Sequence, residues 1–533
     1  MAMGKETSIN TSAGISAVDY MLALISGLLL TASFPKLNWN YFAWIAFVPL
    51  FCSIRNKQSG PSFKLGFLAG MAHYVTLLYW IAGVMKTYGH LPTPVSWSIL
   101  LLLVIYLSLY IASFAALVSS IINQPNRSPM WIWLAPFLWV GLEYIRATFL
   151  SGFPWENLGY SQYNLLPLIQ ISDMFGVYGL SALIIAANLV LFNIWNDFSE
   201  KRTIPWKPIV LLGFLIVGSL SYGTWRIKQV GITTKIAPKQ TVALIQGNID
   251  QSKKWVESFQ GQTVKRYKDL TGRALKNYPD IVVWPETALP FYFLDDQFMT
   301  KQVVEFIRTT KSHFVIGSPS FRKEKKRVHY YNSAYLLGPA GNVLGKYDKV
   351  HLVPYGEYIP FKRFFPFLGK IVESVGNFES GKKGQVLSMN SGQVGILICF
   401  EVIFPELART MTQNGAQFLV NITNDAWFGT SSAPYQHLSM AVFRAIETRR
   451  AVARAANTGI SAFIGPTGRV FSQTPLFKKA ICSHSLPLMN QRTFYVSYGY
   501  LFARLCAIML FLYVGWCLYT GHFRNNKDVS LKS

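Results

Sequence analysis

Eight runs of apolar residues dictate most of what this chain can fold into. They lie at about 20–34, 41–54, 65–85, 95–121, 130–150, 174–195, 208–222 and 500–520. Crossing a bilayer takes about 20 apolar residues in a helix, because hydrocarbon offers the backbone no hydrogen-bonding partner. The runs at 65–85, 95–121, 174–195 and 500–520 reach that length, and the first two are short. Any single run could be a buried helix of a soluble protein. Eight in one chain predict a polytopic α-helical membrane bundle. Composition agrees: 14% of residues are charged, against roughly 25% in soluble domains. A disordered chain needs low hydrophobicity, which 51% apolar residues exclude. The N-terminal basic region holds only Lys5 and "LTASFPK" is a poor cleavage site, so the first run reads as a membrane helix rather than a secretory signal.

Positive charge orients such a bundle, since basic loops stay in the cytoplasm. Loops after the second, fourth and sixth runs carry Arg55, Lys57 and Lys64, then Arg127, then Lys201, Arg202 and Lys207, and the C-terminal tail adds Arg524, Lys527 and Lys532. The alternate loops hold little beyond Lys36, Lys86 and Arg146. Both termini are therefore expected in the cytoplasm and residues 223–499 outside it, in the periplasm of a two-membrane bacterium. The expected organisation is a bundle of about seven helices over 1–222, a linker at 223–240, an extracytoplasmic catalytic domain at 241–490, a membrane helix at 500–520 and a cytoplasmic tail at 521–533. The net charge of +25 could signal nucleic acid or an anionic membrane. Most of the excess falls after residue 222, on the side facing away from the cytoplasm, which argues for lipid headgroups and against nucleic acid.

The insert changes character. Short β-branched runs alternate with polar helical stretches, the pattern of an α/β domain. "TVALIQGNI", "DIVVWPE", "HFVIGSPS", "QVGILICFE" and "QFLVNIT" read as strands, 256–277, the "FPELARTMTQNG" segment and 434–456 as helices, and 329–349 and "GISAFIGPTGRVFS" as hairpins. Residues 358–384, rich in Phe, Gly and Lys, are a candidate mobile flap. Of five cysteines, Cys52, Cys506 and Cys517 fall in membrane runs, leaving Cys399 and Cys482 in the insert. No CxxC, HExxH or clustered His/Cys spacing suggests a metal, and no phosphate loop or dinucleotide fingerprint is present. Asn421-Ile-Thr sits in an expected strand and reads as a chance sequon.

Cys399 stands where a buried strand meets a helix start, where a thiolate gains from helix N–H groups. Position alone is equally compatible with an inert buried cysteine. Glu286 ends a strand in "WPET", and Lys349 ends another and opens "KVHLVPYGE"; singly they could be a loop acid and a surface lysine. Together at strand ends of one α/β domain, the three suggest a nucleophilic triad.

"WPET", "KVHLVPYGEYIP", "CFEVIFPE" and "NDAWFG" resemble the motifs of the nitrilase superfamily. With seven helices before the domain and one after, and with "QGNIDQSKKW", "SGFPWENLGYSQ" and "NDAWFGTSSAPYQH", nearly the whole chain is similar to the apolipoprotein N-acyltransferase family. The resemblance implies a four-layer αββα sandwich in which Cys399 is the nucleophile, Glu286 the general base and Lys349 the oxyanion stabiliser. It implies that Glu357 and Glu401 orient Lys349 and Glu286 or the substrate amine, and that Trp255, Phe400 and Trp427 line the acyl or headgroup pocket. The family commonly has Tyr where this chain has Phe400.

The implied reaction moves the sn-1 acyl chain of a phospholipid, phosphatidylethanolamine being the expected donor, through a Cys399 thioester. The acceptor is the α-amine of an S-diacylglyceryl cysteine at the N-terminus of an apolipoprotein. The implied enzyme is a monomer in the bacterial inner membrane, without metal or other cofactor. Trp155, Tyr160 and Tyr163, in the loop after the fifth run, are candidate interfacial anchors near the lipid substrate. Glu143 and Arg146 are expected to pair at i, i+3 spacing, and Asp173 to be paired or functional. The alternative is a membrane-anchored nitrilase-type amidase with water as acceptor, since the triad does not name the acceptor. A silent scaffold would tolerate loss of Glu286, Lys349 or Cys399, and all three are present.

Overall fold

The computed structural model describes residues 14–123, 129–324, 327–358 and 378–530. Most of the flap segment, 359–377, lies outside the described residues, as does Arg127. All eight apolar runs fall in helices. Among the described residues four helices are long and apolar enough to cross a membrane: Thr93–Ile122, Val177–Ser199, Trp206–Ile236 and Leu501–Thr520. Ser59–Leu78 and Trp80–Thr87, bent by 48° where they meet, make a fifth if taken as one span. Ala17–Ala32, Asn40–Ser53 and Leu134–Thr148 are shorter. The second and fifth runs each begin in a short 3-10 turn, Asn40–Trp44 and Pro129–Trp133, before an α-helix starts. Small residues let the helices approach closely, as in other lipid-embedded bundles. A side-chain carbon at Gly70 would stand 2.8 Å from the Ser108 Cα of the Thr93–Ile122 helix.

Most of the expected linker is helical. Trp206–Ile236 is one helix of 31 residues, running out of the bundle to within three residues of the first strand. It spans about 46 Å at 1.5 Å per residue.

The insert builds two six-stranded sheets. The first contains β1 (Lys239–Gln246), β2 (Ile281–Trp284), β3 (His313–Glu324), β4 (Arg327–Leu337), β5 (Val343–Asp348) and β12 (Ala480–Pro487), ordered β12-β1-β2-β3-β4-β5. The second contains β6 (Val386–Met389), β7 (Gly392–Ile398), β8 (Phe418–Thr423), β9 (Val452–Ala456), β10 (Ala462–Ile464) and β11 (Val470–Phe471), ordered β11-β10-β9-β8-β7-β6. β1-β2-β3 and β7-β8-β9 are parallel and the flanking pairs antiparallel. The parallel strands are buried on both faces, which explains their unbroken apolar reading. Val242, Leu244, Ile281 and Val283 of one sheet meet Ile396, Ile398, Val420 and Ile422 of the other in one core. Helices Glu257–Ala274 and Gln297–Arg308 cover the first sheet through Tyr267, Leu270, Val303 and Ile307. Pro405–Gln413 and Ala433–Thr448 cover the second. The result is the nitrilase-like αββα sandwich on a helical membrane bundle.

One expected helix is two elements. The segment 434–456 splits into the helix Ala433–Thr448 and the central strand β9. Arg449 adopts φ +51°, a left-handed conformation that ends the helix. Three arginines and several alanines hid the strand, because Arg454 reads as surface charge and is in fact fully buried.

Ala433–Thr448 is enclosed on every side, between the second sheet and the bundle. Gln436 Nε2 donates to the Pro35 carbonyl at 3.1 Å, and its Oε1 accepts from Trp155 Nε1 at 2.9 Å. Arg444 donates to the Tyr160 hydroxyl at 2.8 Å and pairs with Glu447. Ser439 donates to Glu156 at 3.0 Å. Just beyond the helix, Arg449 pairs with Asp173 at 2.7 Å, which also pairs with Arg226 and accepts from Tyr222. Asp173 is thus paired, as expected. Trp155 and Tyr160 are not interfacial anchors: both are buried, because their polar tips are consumed by Gln436 and Arg444. Glu143 and Arg146 form no ion pair. Arg146 turns instead to the Tyr74 hydroxyl and Asn157, and Glu143 accepts from the Leu158 N–H.

Candidate active site

Cys399 follows β7 directly and begins a short 3-10 turn, Cys399–Ile403. Its φ of +53° is rare for a residue with a side chain and makes the strand end a sharp elbow. The elbow is held from below. The Cys399 carbonyl accepts from His437 Nε2 at 3.2 Å and from Asn421 Nδ2 at 3.5 Å. Burial, then the Arg454 charge, holds the His437 pKa below its ordinary value. His437 Nδ1 stands 3.2 Å from Asp425 Oδ1 and 3.0 Å from Arg454 Nη2. Arg454 also pairs with Asp425 at 2.7 Å, and Thr423 donates to Asp425 at 2.8 Å. Burial works against the Asp425 carboxylate, but Arg454, His437 and Thr423 together outweigh it and bring its pKa to about 2.

Facing this elbow, Glu286 lies two residues beyond β2. Its Oε1 accepts from Asn332 Nδ2 at 2.8 Å and stands 3.6 Å from Lys349 Nζ; its Oε2 accepts the Asn424 backbone N–H at 2.9 Å. Lys349 comes immediately after β5 and is 1% exposed. Its ammonium donates to Glu357 Oε1 at 2.9 Å, which also accepts from Asn332 at 2.8 Å. Glu357 Oε2 accepts the Val353 N–H at 2.9 Å. Burial pulls the Lys349 pKa down, but the Glu357 and Glu286 carboxylates overcome it and hold it above its ordinary value. The structure thus brings Glu286, Lys349 and Glu357 into one hydrogen-bonded group, with Asn332 joining the two carboxylates.

Glu401 plays a different part from the one expected. Its Oε1 accepts from the Val350 and His351 N–H groups at 2.6 and 3.1 Å, and its Oε2 from the Ile398 N–H at 2.7 Å. Tyr347 donates to it as well. It touches neither Lys349 nor Glu286 but ties the backbone beside Lys349 to the backbone before Cys399. Burial raises its pKa to about 7.

The aromatic residues divide. Trp155 and Phe400 are stacked at 6.3 Å, with Phe404 5.3 Å from Phe400, so Phe400 stands in an aromatic wall. Trp427 packs edge-on against Tyr88 of the bundle at 4.7 Å. Trp255 is 51% exposed and outside that wall. Sequence reasoning missed Asn332, Asn421, His437 and Arg454. His437 was visible at the end of the "NDAWFGTSSAPYQH" motif. Asn332, Asn421 and Arg454 sit mid-strand and carry no local signal. Among the described residues no His, Cys, Asp and Glu side chains gather as a metal-binding group.

Burial, and next the Glu286 charge, raise the Cys399 thiol well above the ordinary value, while Lys349 opposes them. The resting group is therefore a thiol that needs a base, not a preformed thiolate. Alkylation of Cys399 by iodoacetamide, followed by peptide mass, should accelerate about tenfold from pH 6 to 7. A plateau inside that range would mean a low thiol pKa.

A cysteine elbow and a carboxylate–lysine group at the strand ends of an αββα sandwich place the insert in the carbon–nitrogen hydrolase class, and the carbon-nitrogen hydrolase family matches residues 241–493. The apolipoprotein N-acyltransferase N-terminal domain matches residues 26–190. The apolipoprotein N-acyltransferase of Geobacter metallireducens is 47% identical over 92% of this chain and 93% of its own. That of Chlorobaculum tepidum is 31% identical over 91% and 94%. Saccharomyces cerevisiae Nit3, a member of the nitrilase superfamily, is similar at 20% identity and a TM-score of 0.36, over 47% of this chain and 90% of that one. This chain belongs to the apolipoprotein N-acyltransferase family and is an acyltransferase.

Proposed function

We propose that the chain performs the last step of bacterial lipoprotein maturation through a Glu286–Lys349–Cys399 triad. Glu286 takes the thiol proton as Cys399 attacks the sn-1 ester carbonyl of a phospholipid, phosphatidylethanolamine by preference. Lys349 and nearby backbone N–H groups stabilise the oxyanion. The intermediate collapses, the ester C–O bond breaks, and Glu286 returns the proton to the departing lysophospholipid alkoxide. The α-amine of an S-diacylglyceryl cysteine then attacks the thioester. Glu286 takes the amine proton, the C–S bond breaks, and Cys399 regains its proton as the amide leaves.

The observation that carries this reading is the left-handed Cys399 elbow opposite the Glu286–Lys349–Glu357 group, on a sheet seated directly on an apolar bundle. Both substrates are lipids, and a site at that seam suits them. The Phe400–Trp155 wall and the Trp427–Tyr88 pair at the same seam would meet acyl chain or headgroup, and the half-exposed Trp255 would serve the same pocket. The charge bias of the loops supports an inner-membrane protein with a periplasmic catalytic domain and cytoplasmic termini. The enzyme would act as a monomer.

The test is the intact mass of purified protein after incubation with phospholipid. The expected result is one acyl adduct, removed by hydroxylamine. The acylated protein is then mixed with a diacylglyceryl-cysteine peptide or with buffer alone. Faster loss of the adduct with the peptide is expected; equal loss in both would make water the acceptor and the chain a hydrolase.

A further inference from the structure

Lys254 is a second buried lysine at this site. It closes a single helical turn, Gln251–Lys254, capped by Asp250, whose Oδ1 accepts the Ser252 N–H at 3.0 Å. Its side chain is 1% exposed. Lysine is almost never fully buried unless paired, yet among the described residues Lys254 makes no ion pair. Its ammonium donates to the Glu286 carbonyl at 3.2 Å and to the Thr287 hydroxyl. Two neutral oxygens do not offset the cost of burying an ammonium, so its place beside the base calls for a reason.

The turn it holds is constrained. Thr287 has φ +46°, an outlier for a β-branched residue. The turn is pressed against β3, where a side-chain carbon at Gly317 would stand 2.6 Å from the Thr287 nitrogen and 2.7 Å from the Glu286 Cα. Gln251, from the same helical turn as Lys254, accepts from Asn424 Nδ2 at 2.7 Å, and the Asn424 N–H is the donor to Glu286 Oε2. The Gln251–Lys254 segment therefore touches both pieces of chain that position the Glu286 carboxylate.

We propose that Lys254 is a positioning residue of the acyl-transfer site, fixing the Glu286 turn through its carbonyl and supplying a positive charge beside the base while an anion forms. This rests on the triad reading above. Asp425 pairs with Arg454, and Glu401 is held by N–H and hydroxyl donors. Beside Glu286 and Glu357 stand two lysines, Lys349 and Lys254. When Cys399 gives its proton to Glu286 and bonds to the ester carbon, the carbonyl electron pair becomes the oxyanion. One negative charge leaves Glu286 and one appears on the oxygen, with both lysines still in place. Without Lys254 the same step builds an anion in a site with one positive charge fewer. Burial lowers the Lys254 pKa to about 8, with the Glu286 and Cys399 charges opposing, so the ammonium is still mostly protonated at neutral pH.

The test uses the full chain in detergent and reads iodoacetamide alkylation of Cys399 at pH 7 by peptide mass, which needs no lipid substrate. Lys254→Gln keeps a hydrogen-bond donor and removes the charge; Lys254→Met removes both. Each is expected to slow alkylation about tenfold, one unit of thiol pKa, while Lys265→Gln, which removes the charge of an exposed lysine on the helix Glu257–Ala274, stays within about twofold of wild type. Loss of the fold would expose the thiol and speed alkylation, so the sign separates the two effects. Wild-type or faster alkylation in Lys254→Gln would overturn the proposal. Failure of wild-type Cys399 to take an acyl group from phospholipid would instead overturn the triad reading and leave this comparison intact.

Discussion

Cys399→Ala is expected to take up no acyl group from phospholipid, with amide formation falling by at least about 10⁴-fold, the scale on which loss of a nucleophile acts in hydrolases of comparable logic. The substitution is a clean one. Cys399 contributes its carbonyl, not its sulfur, to the contacts with His437 and Asn421, so the elbow keeps its supports when the sulfur is removed. Alanine is also nearly the same size and leaves the aromatic wall standing. An unchanged melting temperature together with a lost adduct would locate the chemistry on the sulfur. An adduct of unchanged mass and yield in the variant would remove Cys399 from the mechanism.

Glu286→Gln should lower the rate of acylation by about 10²–10⁴-fold, the usual contribution of a positioned general base. Glutamine preserves the shape, and its amide oxygen can still accept from Asn332. It cannot accept a proton from the thiol, and with its oxygen kept on Asn332 its NH₂ points at the Asn424 N–H, a donor that the carboxylate satisfied. Because the resting thiol is protonated, the variant should recover part of its rate as pH rises, whereas Cys399→Ala should not. Acylation of Glu286→Gln at the wild-type rate would show that another group takes the proton.

How much of this was legible in the sequence depends on where each residue stands. The sandwich was readable because its parallel strands are buried on both faces and end in unusual chemistry: "WPET" after β2, "DKVHLVPYGE" after β5, "ICFE" after β7. Strand ends are where loops begin, so Glu286, Lys349, Glu357 and Cys399 announced themselves as polar residues out of place. Asn332 and Arg454 did not, because each lies mid-strand and becomes meaningful only when the register of neighbouring strands sets it against Glu286 or Asp425. β9 was mistaken for helix for the same reason: its arginine is neutralised by a partner 29 residues away in sequence. Glu401 was legible as important and not as a clamp, since its partners are backbone groups that no side-chain motif encodes. The bundle was legible in composition, while the 48° bend between Ser59–Leu78 and Trp80–Thr87 was not, because apolar content does not reveal where a helix bends or starts late.

The enclosed helix Ala433–Thr448 bears on what counts as a unit in this protein. The carbon-nitrogen hydrolase match begins at residue 241, yet the outer layer over its second sheet is finished by side chains from before residue 200: Trp155 on Gln436, Tyr160 on Arg444, Asp173 on Arg449. Cut at residue 241, the domain would present buried arginines and an apolar helix face to water. The boundary at residue 241 therefore does not coincide with a break in packing: the outer layer of the catalytic sandwich is completed by the bundle beneath it.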